Sequence, residues 1–146
     1  MERVTLDFPA AAVIHRHPLT VRVTDMNYSW HLGHDALVSL LHEARVHAFA
    51  TLGIPEWDMQ SYPSIVVDLA VQYQHEARWP DALVIETAVP EPGGKALTIY
   101  QRIRNPEADK VVATARVNQL LLDLSTGRPV DVPEKVRQAL AQARGI

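Results

Sequence analysis

The chain has 146 residues, about the length of one domain, and its 47% hydrophobic and 21% charged residues are typical of a globular protein. Its formal net charge of −3 argues against a dedicated nucleic-acid-binding protein. It has no cysteine, which excludes disulfides, thiolate nucleophiles and zinc ribbons. No apolar run approaches the ~18 residues of a membrane span, and residues 1–12 lack a signal-peptide core. We therefore expect a cytoplasmic protein with no nucleic-acid or membrane partner.

The first periodic segments predict a strand and then one long helix. Apolar and polar residues alternate over residues 19–24, which predicts a half-buried strand. Residues 35–52 have apolar side chains at spacings of three and four, as in a helix with one buried face. Gly53 and Pro55 then end the helix. The buried stripe comprises Leu37, Leu41, Ala44, Ala48 and Leu52.

Four more strands and a short helix follow in the second half of the chain. Alternation with a period of two predicts strands at residues 65–74, 83–89, 97–104 and 111–124. Pro133 is well placed to open a C-terminal helix that reaches about Arg144. Because short links between consecutive strands favour antiparallel pairing, the predicted class is α+β. We expect an antiparallel sheet of five to six strands with one long helix laid on it, in a single domain spanning residues 1–146.

The segment between the first strand and the long helix combines an acid, an amide and an imidazole. Asp25, Asn27 and His31 lie within seven residues, just before the predicted helix N-terminus. A helix N-terminus offers unpaired N–H groups and partial positive charge, which can polarise a carbonyl and hold an oxyanion. Gly33 would allow backbone and substrate to approach closely. The pattern is compatible with a hydrolytic site and with a polar turn that caps the helix.

Motifs along the chain match one known family. They are Asp25-Met26-Asn27 after the first strand, Trp30-His31-Leu32-Gly33-His34 before the long helix, Glu43-Ala44-Arg45 within it, and the tail segment over residues 122–130. With these motifs the chain resembles the hotdog-fold thioesterases of the 4-hydroxybenzoyl-CoA thioesterase type over residues 19–143. The resemblance implies a sheet wrapped around one long central helix and hydrolysis of an acyl-CoA to a free acid and CoA. It also implies a homodimer or homotetramer with sites between subunits.

The resemblance makes four side chains candidate catalytic residues, namely Asp25, Asn27, His31 and Glu43. Asp25, Asn27 and His31 would place and activate the attacking water, and Glu43 would supply a helix carboxylate. Asn27 stands where the family usually has its catalytic aspartate, and an amide can orient water but cannot act as a base. Structural roles compete with these assignments. Asp25 and Asn27 can cap the loop, and Glu43 can pair with His47 four residues later.

Four neighbouring residues are candidate substrate-binding groups, namely Tyr28, Trp30, Gly33 and His34. The two aromatic side chains would line an acyl pocket, because they combine apolar area with a polar group. The backbone near Gly33 and His34 would polarise the thioester carbonyl. The alternatives are that the aromatic residues pack at a subunit contact and that His34 caps the helix.

Three questions stay open at the level of the sequence. The thiol carrier can be CoA or acyl carrier protein, and a non-catalytic acyl-thioester-binding protein or a hydroxyacyl dehydratase would share the fold. The basic residues available for the CoA phosphates are Arg78, Arg102, Arg104 and Arg116.

The histidines have no spacing that indicates a metal site, so no metal and no cofactor is predicted. Those outside the motif loop are His15, His17, His42, His47 and His75.

Overall fold

The computed structural model describes residues 1–145, so Ile146, the last residue of the predicted domain, lies outside the described residues. Two helices and six strands follow in chain order: β1 Val13–Thr20, α1 His34–Thr51, β2 Ser64–Tyr73, β3 Ala82–Ala88, β4 Ala96–Asn105, β5 Lys110–Asp123, β6 Arg128–Val130 and α2 Glu134–Ala143. Short 3-10 turns at Ala10–Ala12 and Val23–Asp25 flank β1. Among these residues no helix is both long and apolar enough to cross a membrane.

The six strands form one antiparallel sheet in the order β1-β3-β4-β5-β2, with β6 paired to β5. Neighbouring strands place apolar residues opposite one another, as at Ile85 and Ile103 or Ile99 and Val117. Strands β1 and β2 are the first and last of this path, and α1 connects them along the chain. The Gly33 N–H donates to the Asp25 carbonyl at 3.0 Å, so the start of α1 lies beside the chain that leaves β1.

The core consists of two apolar clusters, and α1 contributes to both. Its first half packs with residues of β3 and β4, and its second half packs with β4, β5 and α2. Four of the five predicted stripe residues are buried, and Leu52 at the end of the helix is half-buried. Helix α2 adds Val136 and Leu140 to the second cluster. The expectation of one long central helix is therefore met in part: α1 has 18 residues, and a second helix shares the core.

The predicted helix and the four later strands are confirmed within one or two residues, whereas the first strand requires a correction. It was predicted at residues 19–24, but β1 ends earlier and the chain then turns. The strand passes through Pro18, which an edge strand tolerates because no neighbour needs its missing N–H. It ends because the Asp25 carboxylate accepts a hydrogen bond of 2.8 Å from the Arg22 backbone N–H, which closes a 3-10 turn. Val23 continues the sequence alternation but is exposed.

Candidate active site

Two sets of backbone hydrogen bonds hold the loop over residues 25–33 in place, one within the loop and one to the segment after β2. Met26 and Leu32 form an antiparallel bridge, and the Asn27 N–H donates to the His31 carbonyl at 2.8 Å. The Leu32 N–H donates to the Ala77 carbonyl at 2.7 Å, which ties the loop to the segment that follows β2. These backbone bonds bring two polar segments together that are 45 residues apart in the chain.

The Asn27 side chain holds the turn inside this loop. Its Oδ1 atom accepts hydrogen bonds from the Ser29 N–H at 2.9 Å and the His31 N–H at 3.3 Å. This is an Asx-type cap, one of the two roles expected for Asn27. Its Nδ2 group donates to no side chain or backbone group within residues 1–145, so it is free to meet a substrate or a water.

Trp30 adopts a left-handed backbone conformation, with φ at 62°. Glycine adopts this conformation without a steric cost, whereas tryptophan does not. The side chains of Trp30 and Tyr28 are 68% and 97% exposed. Neither lines the cleft described below, so the structure does not bring these two predicted pocket residues to it.

His31 is flanked by two side chains from the segment after β2. Its Nε2 atom lies 3.0 Å from Glu76 Oε2 and 3.0 Å from an Arg78 Nη atom. The imidazole can donate to the carboxylate or accept from the guanidinium, but one nitrogen cannot do both at once. With Glu76 as acceptor, the proton sits on Nε2 and Nδ1 carries the lone pair. The two contacts hold the ring in place, and the Glu76 contact is the one that leaves the lone pair on Nδ1.

Asp25 is bound to Arg22 rather than directed into the cleft. Its carboxylate is 4% exposed and accepts from the Arg22 backbone N–H at 2.8 Å and from the Arg22 guanidinium at 2.8 and 3.2 Å. These hydrogen bonds lower the pKa of Asp25 below its usual range, the side-chain bond being the largest cause and burial opposing it. A carboxylate stabilised in its charged form is a weak base, so the geometry favours the structural role considered for this residue.

The first turn of α1 borders the cleft through His34 and Leu37, whereas the predicted binding residue Gly33 does not line it. Gly33 is the N-cap residue and is buried, and the first-turn N–H groups of a helix have no intrahelical acceptor. A Cβ atom on Gly33 would lie 2.7 Å from Asp35 Oδ1, so a side chain here would displace the first-turn carboxylate. The Tyr73 hydroxyl donates to the His34 carbonyl at 3.1 Å. Burial and the negative charge of Asp35 raise the pKa of Tyr73, so the phenol stays protonated.

Glu43 lies on the exposed face of α1, outside the cleft. Its Oε1 atom is 2.9 Å from His47 Nε2, the pairing that the spacing of four residues predicted. The structure therefore does not bring Glu43 together with Asn27 and His31, and its predicted catalytic role remains a prediction.

An open cleft of about 380 Å³ lies between the loop, the first turn of α1 and the end of β2. Of the predicted site residues, Asn27, His31 and His34 line it. Sequence reasoning missed the other polar side chains of its wall, which are Ser29, Tyr73, Gln74, His75 and Glu76. A signal was present in the polar run Gln74-His75-Glu76 directly after a strand, but only the fold places this run against the loop.

Comparison with known families shows which family the chain belongs to. A family model described as the thioesterase-like superfamily matches residues 21–140, which include the loop, α1 and the segment after β2. The chain belongs to the thioesterase-like superfamily. This match confirms the family that the loop motifs indicated, and the resemblance of solved structures agrees with it.

Solved thioesterase structures share the fold over most of their length. The 1,4-dihydroxy-2-naphthoyl-CoA thioesterase from Synechocystis superposes with a TM-score of 0.78 at 13% identity, covering 86% of this chain and 94% of that one. The DHNA-CoA thioesterase from Staphylococcus aureus has a TM-score of 0.75 at 19% identity, with 88% and 89% covered. A predicted thioesterase from Bacillus stearothermophilus superposes with a TM-score of 0.76 at 21% identity, covering 88% of this chain and 94% of that one. At these identities the similarity establishes the fold alone. No protein of curated function matches the chain.

One basic residue stands at the cleft of this thioesterase-superfamily chain. Arg78 contacts His31, which lines the cleft, and Arg78 is exposed. Two other candidates for phosphate binding are paired elsewhere, Arg102 with Glu86 and Arg104 with Asp109. The fourth candidate, Arg116, lies in β5, and its buried Nε atom has no hydrogen-bond partner within residues 1–145. Arg78 contacts a residue that lines the cleft, so its position suits a ligand that enters there.

Proposed function

We propose that this protein hydrolyses acyl-CoA thioesters. Water attacks the thioester carbonyl, the carbon–sulfur bond breaks, and the products are a carboxylic acid and the CoA thiol. The observation that carries the proposal is the single cleft in which an oriented imidazole, an amide and a helix N-terminus meet. Membership of the thioesterase-like superfamily supports thioester hydrolysis as the reaction class.

In this proposal His31 is the general base. Its Nε2–H donates a hydrogen bond to the Glu76 carboxylate, which leaves the lone pair on Nδ1 for the attacking water. The N–H groups at the start of α1 stabilise the oxyanion, because they point along the helix axis toward developing negative charge. Asn27 orients the water or the carbonyl through Nδ2, since its Oδ1 is engaged in the turn. Asp25 acts as a charged anchor for the loop rather than as the base.

The cleft suits the acyl and thioester portion of the substrate. Its volume of about 380 Å³ is at the lower end of the usual range for ligand sites, ~300–1,000 Å³. The nucleotide portion of CoA would extend outside, where Arg78 can contact a phosphate. The relatives named for 1,4-dihydroxy-2-naphthoyl-CoA and DHNA-CoA make aryl thioesters a class to test, and acyl carrier protein remains the alternative carrier.

We also propose that two copies pair through β2. This strand is the last of the sheet path and exposes Ile65, Val66, Val67 and Leu69 to solvent. A long apolar edge strand offers both backbone groups and hydrophobic area to a second strand. Tyr73 at the end of β2 lines the cleft, so the partner subunit would lie close to the site. The homodimer or homotetramer is a prediction that sedimentation tests, and the cytoplasmic location stays a prediction.

A panel of substrates tests the proposed hydrolysis. Free thiol released from aryl-, short- and long-chain acyl-CoAs and from an acyl carrier protein thioester would be measured with the purified full chain. His31→Gln is the test variant, and His42→Ala, an exposed histidine of α1 outside the cleft, is the matched control. Turnover that His31→Gln lowers and His42→Ala preserves supports the proposal.

The second candidate function is a non-catalytic acyl-thioester-binding protein. The observation that favours it is Asn27, which replaces the usual carboxylate and uses its oxygen to cap the loop. Binding of a panel member without any thiol release, measured by calorimetry and the same assay, would favour this reading over hydrolysis.

A further inference from the structure

Three side chains from β1 and α1 meet outside the cleft, and we name them the His-Glu cluster: His17, Glu43 and His47. One nitrogen or oxygen atom from each lies within 4.8 Å of the other two. The His17 and His47 rings are stacked with centroids 4.5 Å apart, and Glu43 Oε1 is 2.9 Å from His47 Nε2. Glu43 and His47 share a face of α1 because they are four residues apart, and His17 faces them from the strand.

We propose that the His-Glu cluster binds a divalent transition-metal ion, with Zn²⁺ as the best match. Two imidazoles and one carboxylate are a common protein ligand set for Zn²⁺, and a water completes the tetrahedron. Ligand atoms about 2.0–2.2 Å from such an ion lie ~3.3 Å apart, so the widest separation in the cluster must close by up to ~1.5 Å. Because an imidazole binds a metal in the plane of its ring, the His47 ring must also turn out of its stack on His17. Glu43 and His47 can make these adjustments, since both side chains are more than half exposed.

The electrostatics of the cluster suit a cation. Burial lowers the pKa of His17, and the neighbouring His47 lowers it further while Glu43 opposes this. Burial, His17 and His47 likewise lower the pKa of His15, whose ring centroid lies 6.1 Å from that of His17. Glu43 supplies the negative charge.

His15, beside the cluster, has a polar atom without a hydrogen-bond partner within residues 1–145. This atom, Nδ1, is buried. A buried polar atom without a partner is costly, and such groups often indicate an ion or water that satisfies the surrounding network. An ion held by the His-Glu cluster would join the edge strand β1 to α1. None of the three cluster residues lines the cleft, so the proposed ion site is separate from the proposed hydrolytic site.

Calorimetric titration of Zn²⁺ into the full chain tests the proposal, after removal of any affinity tag and treatment with a chelator. The wild type is expected to bind one ion per chain, and His47→Ala and Glu43→Gln are each expected to weaken binding at least tenfold. His42→Ala is the matched control, because His42 is an exposed histidine of the same helix that bonds to Arg45 instead. It is expected to bind as the wild type does.

Thermal unfolding with and without Zn²⁺ provides a second readout. The ion should raise the melting temperature of the wild type and of His42→Ala, because it binds only the folded state, and should raise that of His47→Ala by less. His47 and Glu43 are exposed, so both variants are expected to fold. The proposal is overturned if the wild type binds no stoichiometric Zn²⁺, if both cluster variants bind as the wild type does, or if His42→Ala loses binding equally.

Discussion

Replacing Asp25 with asparagine separates the two roles considered for this residue. The change keeps the size of the side chain but removes a buried charge that accepts three hydrogen bonds from Arg22. Hydrogen bonds to a charged group contribute about 1.5–3 kcal/mol net, and we expect the free energy of unfolding at pH 7 to fall by about that amount. A chain of this length has an unfolding entropy of about 0.3 kcal/mol/K, so the melting temperature should drop by about 5–10 °C.

The pH dependence of this loss follows from the lowered pKa of Asp25. A carboxylate with a lowered folded-state pKa contributes stability that is fully present above its unfolded pKa of about 3.9. That contribution is lost as the pH falls through the folded-state pKa. The stability difference between the wild type and Asp25→Asn should therefore be constant near neutral pH and shrink below about pH 4.

Urea unfolding followed by tryptophan fluorescence at several pH values measures this difference. Asp131→Asn is the control, because Asp131 is an exposed carboxylate, and it should change stability by less than about 0.5 kcal/mol. Unchanged stability in Asp25→Asn at pH 7, together with a ~10²–10⁴-fold loss of turnover, would refute the reasoning and make Asp25 the catalytic base. A stability deficit that persists undiminished at pH 2–3 would refute the linkage argument.

Three further changes test other parts of the structure. Glu76→Gln should lower kcat and leave KM unchanged in steady-state kinetics. The loss of kcat should be smaller than the ~10²–10⁴-fold expected for loss of His31 itself, and an unchanged kcat argues against the pairing of Glu76 with His31. Trp30→Gly should raise the free energy of unfolding by up to about 1 kcal/mol, because glycine adopts the left-handed conformation without strain; a lower melting temperature would contradict this. Val67→Asp should convert the proposed dimer to monomer in sedimentation, whereas Leu124→Asp, at another exposed apolar position, should not.

Elements with a clear hydrophobic period were predictable, because the period reflects the face that each element buries. Helix α1 and strands β3 to β5 follow it closely, whereas the alternation of β2 located the strand although its apolar residues are exposed. Strand β1 was misplaced for two physical reasons. Pro18 reads as punctuation but is tolerated at a sheet edge, and the turn after the strand depends on a hydrogen bond from Arg22 to Asp25 that no periodicity reports.

The loop half of the site was predictable and the opposite wall was not. The motif around Asn27 and His31 is local in sequence, so its residues could be recognised together. Glu76 reaches His31 only because the Leu32 and Ala77 backbones pair across the fold. The His-Glu cluster was likewise not predictable from the sequence, because its residues come from β1 and α1 and no spacing along the chain connects them.

Thiol release from the acyl-CoA panel by wild type and His31→Gln, at equal concentrations of folded protein, tests the central claim most directly. The account predicts that the wild type turns over at least one acyl-CoA. It predicts that His31→Gln lowers kcat for that substrate by ~10²–10⁴-fold while its melting temperature stays close to that of the wild type. Absence of turnover for every thioester that demonstrably binds, or equal kcat in the two proteins, would contradict the account.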